Sequence, residues 1–519
     1  MAEIFRGKDS SKRKGYVRGN IINMENGILK NKFRSFCILI VIYMFFYSSM
    51  YVEHYATDTY YNILNTGVSG AMLSSGRICS FFVYHLMEII HVNHLDFYPW
   101  LITMLIIAIS FVSYNIEQLI SRTINTNDEI SNWIIRVGAI LVFANPFFQE
   151  WFTFWEVSIQ YCGALLFLAL GLSCASNGNS WKQYLFQAMY LSVAIGFYQG
   201  VFAHYIIIGL TVVYLEHKGR LNQQAILKSI MVIFVAFFSG AFNICILSIL
   251  QRIGIVPITS RTGNISVKII LNNARGIIEC IPSLLYDGFG LYYPFLYLII
   301  LGVLLVLVWR QLICKQRNIV GMVWLVIIVM LSMLTIFIPH VLTTSFWPAQ
   351  RSIVAYWVIM SMFFFVSVMI LGGKIITLKG CLAIAIIALL TCNIAVNKIQ
   401  CDLVSCNRMD EELAYAVNEA ITRYESETGI RVLKIGVVHD SEVSWRYHSS
   451  RYWCFDTSVS ARTKDWSDVN MINYYNNTKY EKVNVEESQV LALCEKNWDY
   501  YSPEEQFIFY GDTLYIIAF

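Results

Sequence analysis

"ICSFFVYHLMEIIHV", residues 78–92, decides how this chain is threaded. The stretch is apolar but short, and His85, Glu88 and His91 interrupt it. Read as a membrane crossing, it reverses the side on which every later loop lies. Read as an amphipathic helix lying on a membrane surface, it leaves those loops in place. Charge decides between the two. With 78–92 on the surface, eleven apolar runs remain as spans, at about 35–52, 98–117, 134–148, 157–175, 184–198, 201–216, 229–250, 288–308, 319–338, 352–371 and 380–397. The runs 184–198 and 201–216 are short, and one bent helix is the competing reading of that pair.

With the N-terminus inside, nine Lys/Arg lie in the tail 1–34. The inner loops add Arg122, Arg136, Lys182, Lys218, Arg220, Lys228, Arg310, Lys315, Arg317, Lys374 and Lys379. The outer loops hold Arg77, Arg252, Arg261, Lys268, Arg275 and Arg351. Basic residues concentrate on the cytoplasmic side of membrane proteins, and this threading obeys that rule strongly. A span at 78–92, or a fused 184–216, inverts the downstream loops and destroys the bias.

Composition agrees. Of 519 residues, 57% are hydrophobic and 14% charged, with a mean hydropathy of +0.54. That is too apolar for a soluble chain of this length. Runs of roughly 20 residues match a hydrocarbon core of about 30 Å. The chain therefore reads as an all-α polytopic membrane protein with about eleven transmembrane helices. The expected organisation is a basic cytoplasmic tail 1–34, a membrane domain 35–397 with a first outer loop 53–97, and an extracytoplasmic domain 398–519. The N-terminal stretch is basic and polar rather than a cleavable signal peptide.

The C-terminal domain reads as a small α/β cap on the outer face. "DEELAYAVNEAITRYESETG" (410–429) predicts a helix closed by Gly429. "IRVLKIGVV" (430–438) and the runs flanking Gly511-Asp512 predict strands. Cys37, Cys162, Cys245 and Cys381 sit in apolar runs and read as small buried hydrophobes. Cys401, Cys406, Cys454 and Cys494 lie in the polar part, where an oxidising compartment permits pairing. No Cys/His spacing suggests a metal site.

The unusual residues gather on the outer side. The first outer loop holds Glu53, His54, Asp58, Arg77, Glu88 and Asp96, and is long for a connector. The second holds "QEWFTFWE" (149–156), the third "FYQG" (197–200) and the fifth "PHVLTTSFWPAQR" (339–351). The fourth, about 251–287, carries Arg252, Arg261, Lys268, Arg275, Glu279 and Asp287. Carboxylates at such a surface can deprotonate a hydroxyl. Arginines can clamp a phosphate and stabilise a leaving group. Aromatic planes can stack on sugar rings. There is no nucleotide-binding glycine loop, which suits a lipid-linked sugar phosphate as donor. Each residue also has a plainer reading. Asp58 can be a solvated loop carboxylate or a helix cap, and Glu53 and His54 ordinary interfacial groups. Trp151 and Trp155 can be an aromatic belt. Glu156 can be a helix-start charge, and Arg261 and Arg351 snorkelling cations. Tyr198 and Gln199 can simply pack their turn.

Taken in order, "TDTYYN" (57–62), "SSGRICSFF" (74–82), "NPFFQEWFTFWE" (145–156), "LSVAIGFYQGVF" (191–202) and "WPAQRSIVAYW" (347–357) resemble the bacterial and phage glucosyltransferase II (Gtr serotype-conversion) family. Its members are multi-span glycosyltransferases of the GT-C type. The resemblance covers about 35–400. It implies a glucosyl donor of the undecaprenyl-phosphate-sugar class, used without a nucleotide or other cofactor. The implied acceptor is a hydroxyl of a surface polysaccharide such as O-antigen, with inversion at the anomeric carbon. It places the enzyme in the bacterial inner membrane with its site on the periplasmic face, served by a donor synthase and a donor flippase. Carried over, Asp58 becomes the general base. Glu53, His54 and Glu156 become candidates for a second carboxylate or acid/base group, since Thr59 follows Asp58 where the family often pairs acidic residues. Arg77, Arg261, Arg351 and His340 become candidates for the donor phosphate, and Trp151, Trp155, Tyr198 and Gln199 for the sugars. Nucleic acid is not an expected partner. The rivals are a lipid-linked sugar flippase, which favours ionisable groups at the midplane, and an O-antigen polymerase or ligase.

Overall fold

The computed structural model describes residues 33–64, 68–126, 128–175, 180–259, 266–315, 318–344, 346, 348–372, 374–439, 460–485 and 502–518. Most of the basic tail, Arg261, Cys454 and Cys494 lie outside them. A helical bundle carries a small C-terminal sheet. In chain order the helices are α1 (Phe33–Phe46), α2 (Thr57–Leu64), α3 (Val68–Ser74), α4 (Ile78–Ile89), α5 (Tyr98–Ile124), α6 (Glu129–Leu141), α7 (Glu150–Thr153), α8 (Ser158–Ala175), α9 (Trp181–Phe197), α10 (Val201–Glu216), α11 (Gln223–Arg252), α12 (Val267–Asp287), α13 (Leu296–Trp309), α14 (Ile319–Val341), α15 (Tyr356–Leu371), α16 (Ile375–Thr428) and α17 (Asp468–Asn476). Among the described residues, six helices are long and apolar enough to cross a membrane. The chain is a helical membrane protein.

The helix α4 is twelve residues long, about 18 Å at roughly 1.5 Å per residue, too short for a crossing. Ser80 and Tyr84 face inward, while Phe82, Leu86, Ile89 and Ile90 are exposed. That one-sided pattern is what a helix lying against lipid requires. The pair α9 and α10 is two helices, not one bent one. Tyr198 is extended between them, and Tyr205 Oη of α10 reaches back to Gln187 Oε1 of α9 at 2.6 Å.

Four expectations are corrected. The run 134–148 is not one helix. It stops at Leu141, because Pro146 cannot continue it and Asn145 binds the freed backbone. Asn145 Nδ2 donates to the carbonyls of Leu141 and Val142 (3.2 and 3.1 Å), and its Oδ1 accepts from the amides of Phe147 and Phe148. The fourth outer loop is largely the helix α12, started by the Ser266 cap and closed by Gly288 in the left-handed region (φ 59°). The run from 288 becomes helical only at Leu296, after that turn. The expected span 380–397 and helix 410–429 are one 54-residue helix, α16, with no Gly or Pro from Cys381 to Thr428 to break it and Gly429 closing it (φ 69°). Cys245, expected to be buried, is exposed.

Helix α15 is buried almost all round, as a helix apolar on every face must be. Gly138 lets α6 approach it: a Cβ there would lie 2.6 Å from the Phe365 ring. Polar ties mark the two ends of the bundle. At one end Arg136 grips Glu117 and Ser35, Lys228 meets Glu216 at 2.7 Å, and Asn318 bonds the Gly219 carbonyl. The other end carries the first, second, third and fifth loops and the cap.

The cap sheet runs in the order β2-β1-β4-β3, from strands β1 (Lys434–His439), β2 (Glu481–Lys482), β3 (Phe507–Tyr510) and β4 (Thr513–Ala518). Strand β1 pairs parallel with β2 and β4, while β3 and β4 form the hairpin expected around Gly511-Asp512. The sheet is fastened to the long helix by Tyr424 of α16, stacked on Phe509 with centroids 4.3 Å apart.

Candidate active site

"TDTYYN" forms most of α2. Helical positions three apart share a face, and Thr59 and Asn62 both turn to Glu156. Thr59 Oγ1 donates to Glu156 Oε2 at 3.1 Å and Asn62 Nδ2 reaches Oε1 at 3.5 Å. Glu156 is fully buried, so these donors supply the partners that a buried carboxyl requires. Asp58, one position before Thr59, is only half-buried and close enough to Glu156 to interact with it electrostatically. Its Oδ1 accepts the indole N–H of Trp466, from the cap, at 2.9 Å.

Glu156 is delivered by residues 142–157, buried throughout although they are largely outside regular helix. This stretch folds inward because the Asn145 turn and the short helix α7 satisfy its backbone locally. It also delivers Glu150, which pairs with Arg351. Arg351 Nη1 lies 2.6 Å from Glu150 Oε1, its backbone amide donates to Oε2, and its guanidinium lies 4.6 Å over the Phe154 ring. The Arg351 carbonyl accepts from Trp151 Nε1 (2.9 Å) and Tyr198 Oη (3.0 Å). Arg351 is thus a junction of the second, third and fifth loops.

Arg77 caps the start of α4. Its Nη1 donates to Gln160 Oε1 at 3.3 Å, one turn along α8 from Glu156, and its guanidinium lies 4.9 Å over the Tyr198 ring. Tyr198 packs edge-on to Trp151 and Tyr161, and those two stack at 4.4 Å. Arg77, Tyr198, Trp151 and Arg351 therefore form one connected group, and the Arg77 partner Gln160 lies four residues after Glu156, which pairs with α2. Trp151 and Trp155 are buried rather than belted at a surface. Trp155 Nε1 donates to the His54 carbonyl at 2.9 Å.

His54 is buried. Its ring nitrogens lie 2.7 and 3.2 Å from the Val52 and Phe152 carbonyls, and Gln400 Nε2 of α16 is 2.9 Å from Nδ1. Burial pulls this imidazole below its ordinary value despite those carbonyls, which suits a neutral brace between loops. Glu53 is exposed and accepts from Tyr55 Oη. Gln199 Nε2 reaches the Ser75 carbonyl at 3.4 Å. His340 sits in a different cluster. Its carbonyl accepts from Asn273 of α12 and its ring packs on Phe346.

The sequence reading passed over Thr59, Asn62, Gln160 and Trp466. Thr59 and Asn62 stood inside the quoted motif at helical spacing. Trp466 lies 408 residues from Asp58, and no local pattern links them.

The family model described as "Glucosyl transferase GtrII" matches residues 47–371. That interval exceeds half of the chain and contains Asp58, Glu156, Arg77, Tyr198, Trp151 and Arg351, while the cap residue Trp466 lies outside it. No curated protein and no solved structure matches the chain.

Proposed function

This chain belongs to the glucosyl transferase GtrII family, and from that premise we propose that it transfers glucose from undecaprenyl-phosphate-glucose to a hydroxyl of a surface polysaccharide such as O-antigen. The reaction takes place on the extracytoplasmic face of the bacterial inner membrane. One observation carries the reading: a half-buried carboxylate, Asp58, interacts electrostatically with a buried one, Glu156, and Arg77 bonds Gln160, four residues after Glu156.

In this reading Asp58 takes the proton of the acceptor hydroxyl as its oxygen attacks C1 of the donor sugar. The C1–O bond to phosphate breaks, its electron pair leaves with the lipid phosphate, and the anomeric configuration inverts. Arg77 offsets charge developing on that phosphate. Arg351 and Glu150 hold the three loops that frame the donor. Glu156 fixes α2, and hence the direction in which Asp58 points. Tyr198 and Gln199 stand nearest the phosphate and sugar, with Trp151 and Trp155 as the wall behind them. The donor carries its own leaving group, so the reaction needs no separate cofactor.

The test uses wild type and Asp58→Asn in proteoliposomes loaded with radiolabelled undecaprenyl-phosphate-glucose. The wild type adds glucose to polysaccharide, and Asp58→Asn loses on the order of 10²–10⁴-fold in rate, the usual weight of a general base. A folded Asp58→Asn that transfers at the normal rate removes Asp58 from the mechanism. A wild type that alters polysaccharide length instead of adding side branches makes the protein a polymerase.

A further inference from the structure

We propose that the cap carries a sugar-binding subsite at Trp466, which stacks a pyranose ring of the acceptor glycan and orients Asp58 toward its hydroxyl. The proposal rests on the reading of Asp58 as the base. Trp466 is 46% exposed, and its indole offers a flat apolar face with an N–H donor at the edge. The anchoring of its loop is extensive. Asp410 of α16, fully buried, accepts from Ser460 Oγ and from the Ala461 amide at 2.8 Å, with Arg462 Nε 3.4 Å away. On the other side of the ring Ser467 Oγ donates to the Thr57 carbonyl of α2 at 2.7 Å. Asn470 Nδ2 then bonds the Trp466 carbonyl at 2.8 Å. The ring is therefore presented, rather than loose.

Its chemistry matches a sugar. A pyranose has faces of C–H groups and a rim of hydroxyls. An indole face accepts the first, and charged groups at its edge accept the second. Here Asp58 lies at the N–H edge, and Lys464 Nζ lies over one face of the ring, 5.7 Å from its centroid. A glycan residue stacked on this ring brings a hydroxyl to the Asp58 carboxylate. The indole N–H, spent on Asp58 Oδ1, fixes the carboxylate, while the exposed part of the ring, away from Lys464, takes the ligand. Binding and proton transfer are thus set by one side chain of the cap.

The test measures transfer by wild type, Trp466→Ala and Trp466→Phe, varying donor and acceptor separately. The acceptor probe is a soluble oligosaccharide released from the host's own surface polysaccharide. Trp466→Ala is expected to raise acceptor KM about tenfold, the upper end of an aromatic contact, and to leave donor KM unchanged. Trp466→Phe keeps a stacking face and loses the N–H, so acceptor KM returns toward wild type while kcat stays several-fold low. Wild-type acceptor KM in Trp466→Ala, or an equal rise in donor KM, overturns the subsite. Full kcat in Trp466→Phe overturns the positioning role. Asp58→Asn in the same assay keeps the two readings separate: its activity reports on the base, and the acceptor KM of the Trp466 variants reports on the subsite.

Discussion

Glu150 places a carboxylate in fully buried surroundings, where an ion left without a partner costs several kcal/mol. Its pairing with Arg351 makes both residues structural before they are anything else. Glu150→Ala should lower stability by about 3–5 kcal/mol, because it strands the guanidinium. The double variant Glu150→Ala/Arg351→Ala should cost clearly less than the two single losses summed, since it removes both charges together. Thermal unfolding of the purified protein in detergent measures all three, and strict additivity would contradict the pairing. Arg351 is tied through Glu150, while Arg77 contacts Gln160, Met72 Sδ and the Tyr198 ring among its partners. Arg77→Ala should raise donor KM with little change in acceptor KM or melting temperature, and separate titration of the two substrates reads this directly. At this scale the sequence was informative about chemistry and silent about pairing. Carboxylates and arginines on one face were visible. That Glu150 consumes Arg351 while Thr59 and Asn62 bind Glu156 depends on loops far apart in the chain.

Elements were legible where periodicity and end signals agreed. The helix α4 carried both a short length and an interrupted apolar run, and the structure makes it a short, one-sidedly buried helix. The hairpin of β3 and β4 followed from two apolar runs around Gly511-Asp512. The misreadings have identifiable causes. In 134–148 the Asn145-Pro146 stop signal was outweighed by the apolar run 137–144. In 251–287 the charges of Lys268, Arg275 and Glu279 suggested a loop, yet they fall on the exposed side of α12, and Asn273, Cys280 and Leu284 form its buried stripe. In α16 a change from apolar to polar composition was taken for a boundary. A helix ends where its backbone is interrupted or capped, not where its surroundings change, and this one ends at Gly429.

At the scale of the whole molecule, the four loops and the cap share one end of the bundle. Which compartment that end faces is tested with Cys401, an exposed thiol on α16 close to the cap. In a variant keeping Cys401 alone among its cysteines, a membrane-impermeant maleimide should label intact spheroplasts as fully as lysed ones. Labelling that needs lysis would invert the topology and place the site in the cytoplasm. The positive-inside count, which sums many weak signals over the chain, predicts that this end is extracytoplasmic. The same sum says nothing of how the cap meets α2, which rests on single contacts such as Ser467 to Thr57 and Tyr475 Oη to Tyr60 Oη at 2.9 Å.

The long helix has a consequence for the membrane itself. At roughly 1.5 Å per residue, α16 is about 80 Å from end to end. Its first part lies among the bundle helices. Farther along, Gln400 meets His54, Asn407 bonds both the amide and the carbonyl of Tyr55, and Asp410 holds the turn before Trp466. It behaves as a stiff strut that fixes the working height of the Asp58–Trp466 pair above the lipid. A helix in a bilayer of the wrong thickness tilts to compensate, and this one carries the cap with it. Lipid thickness thus becomes a variable of the reaction, acting through a lever rather than through the substrate.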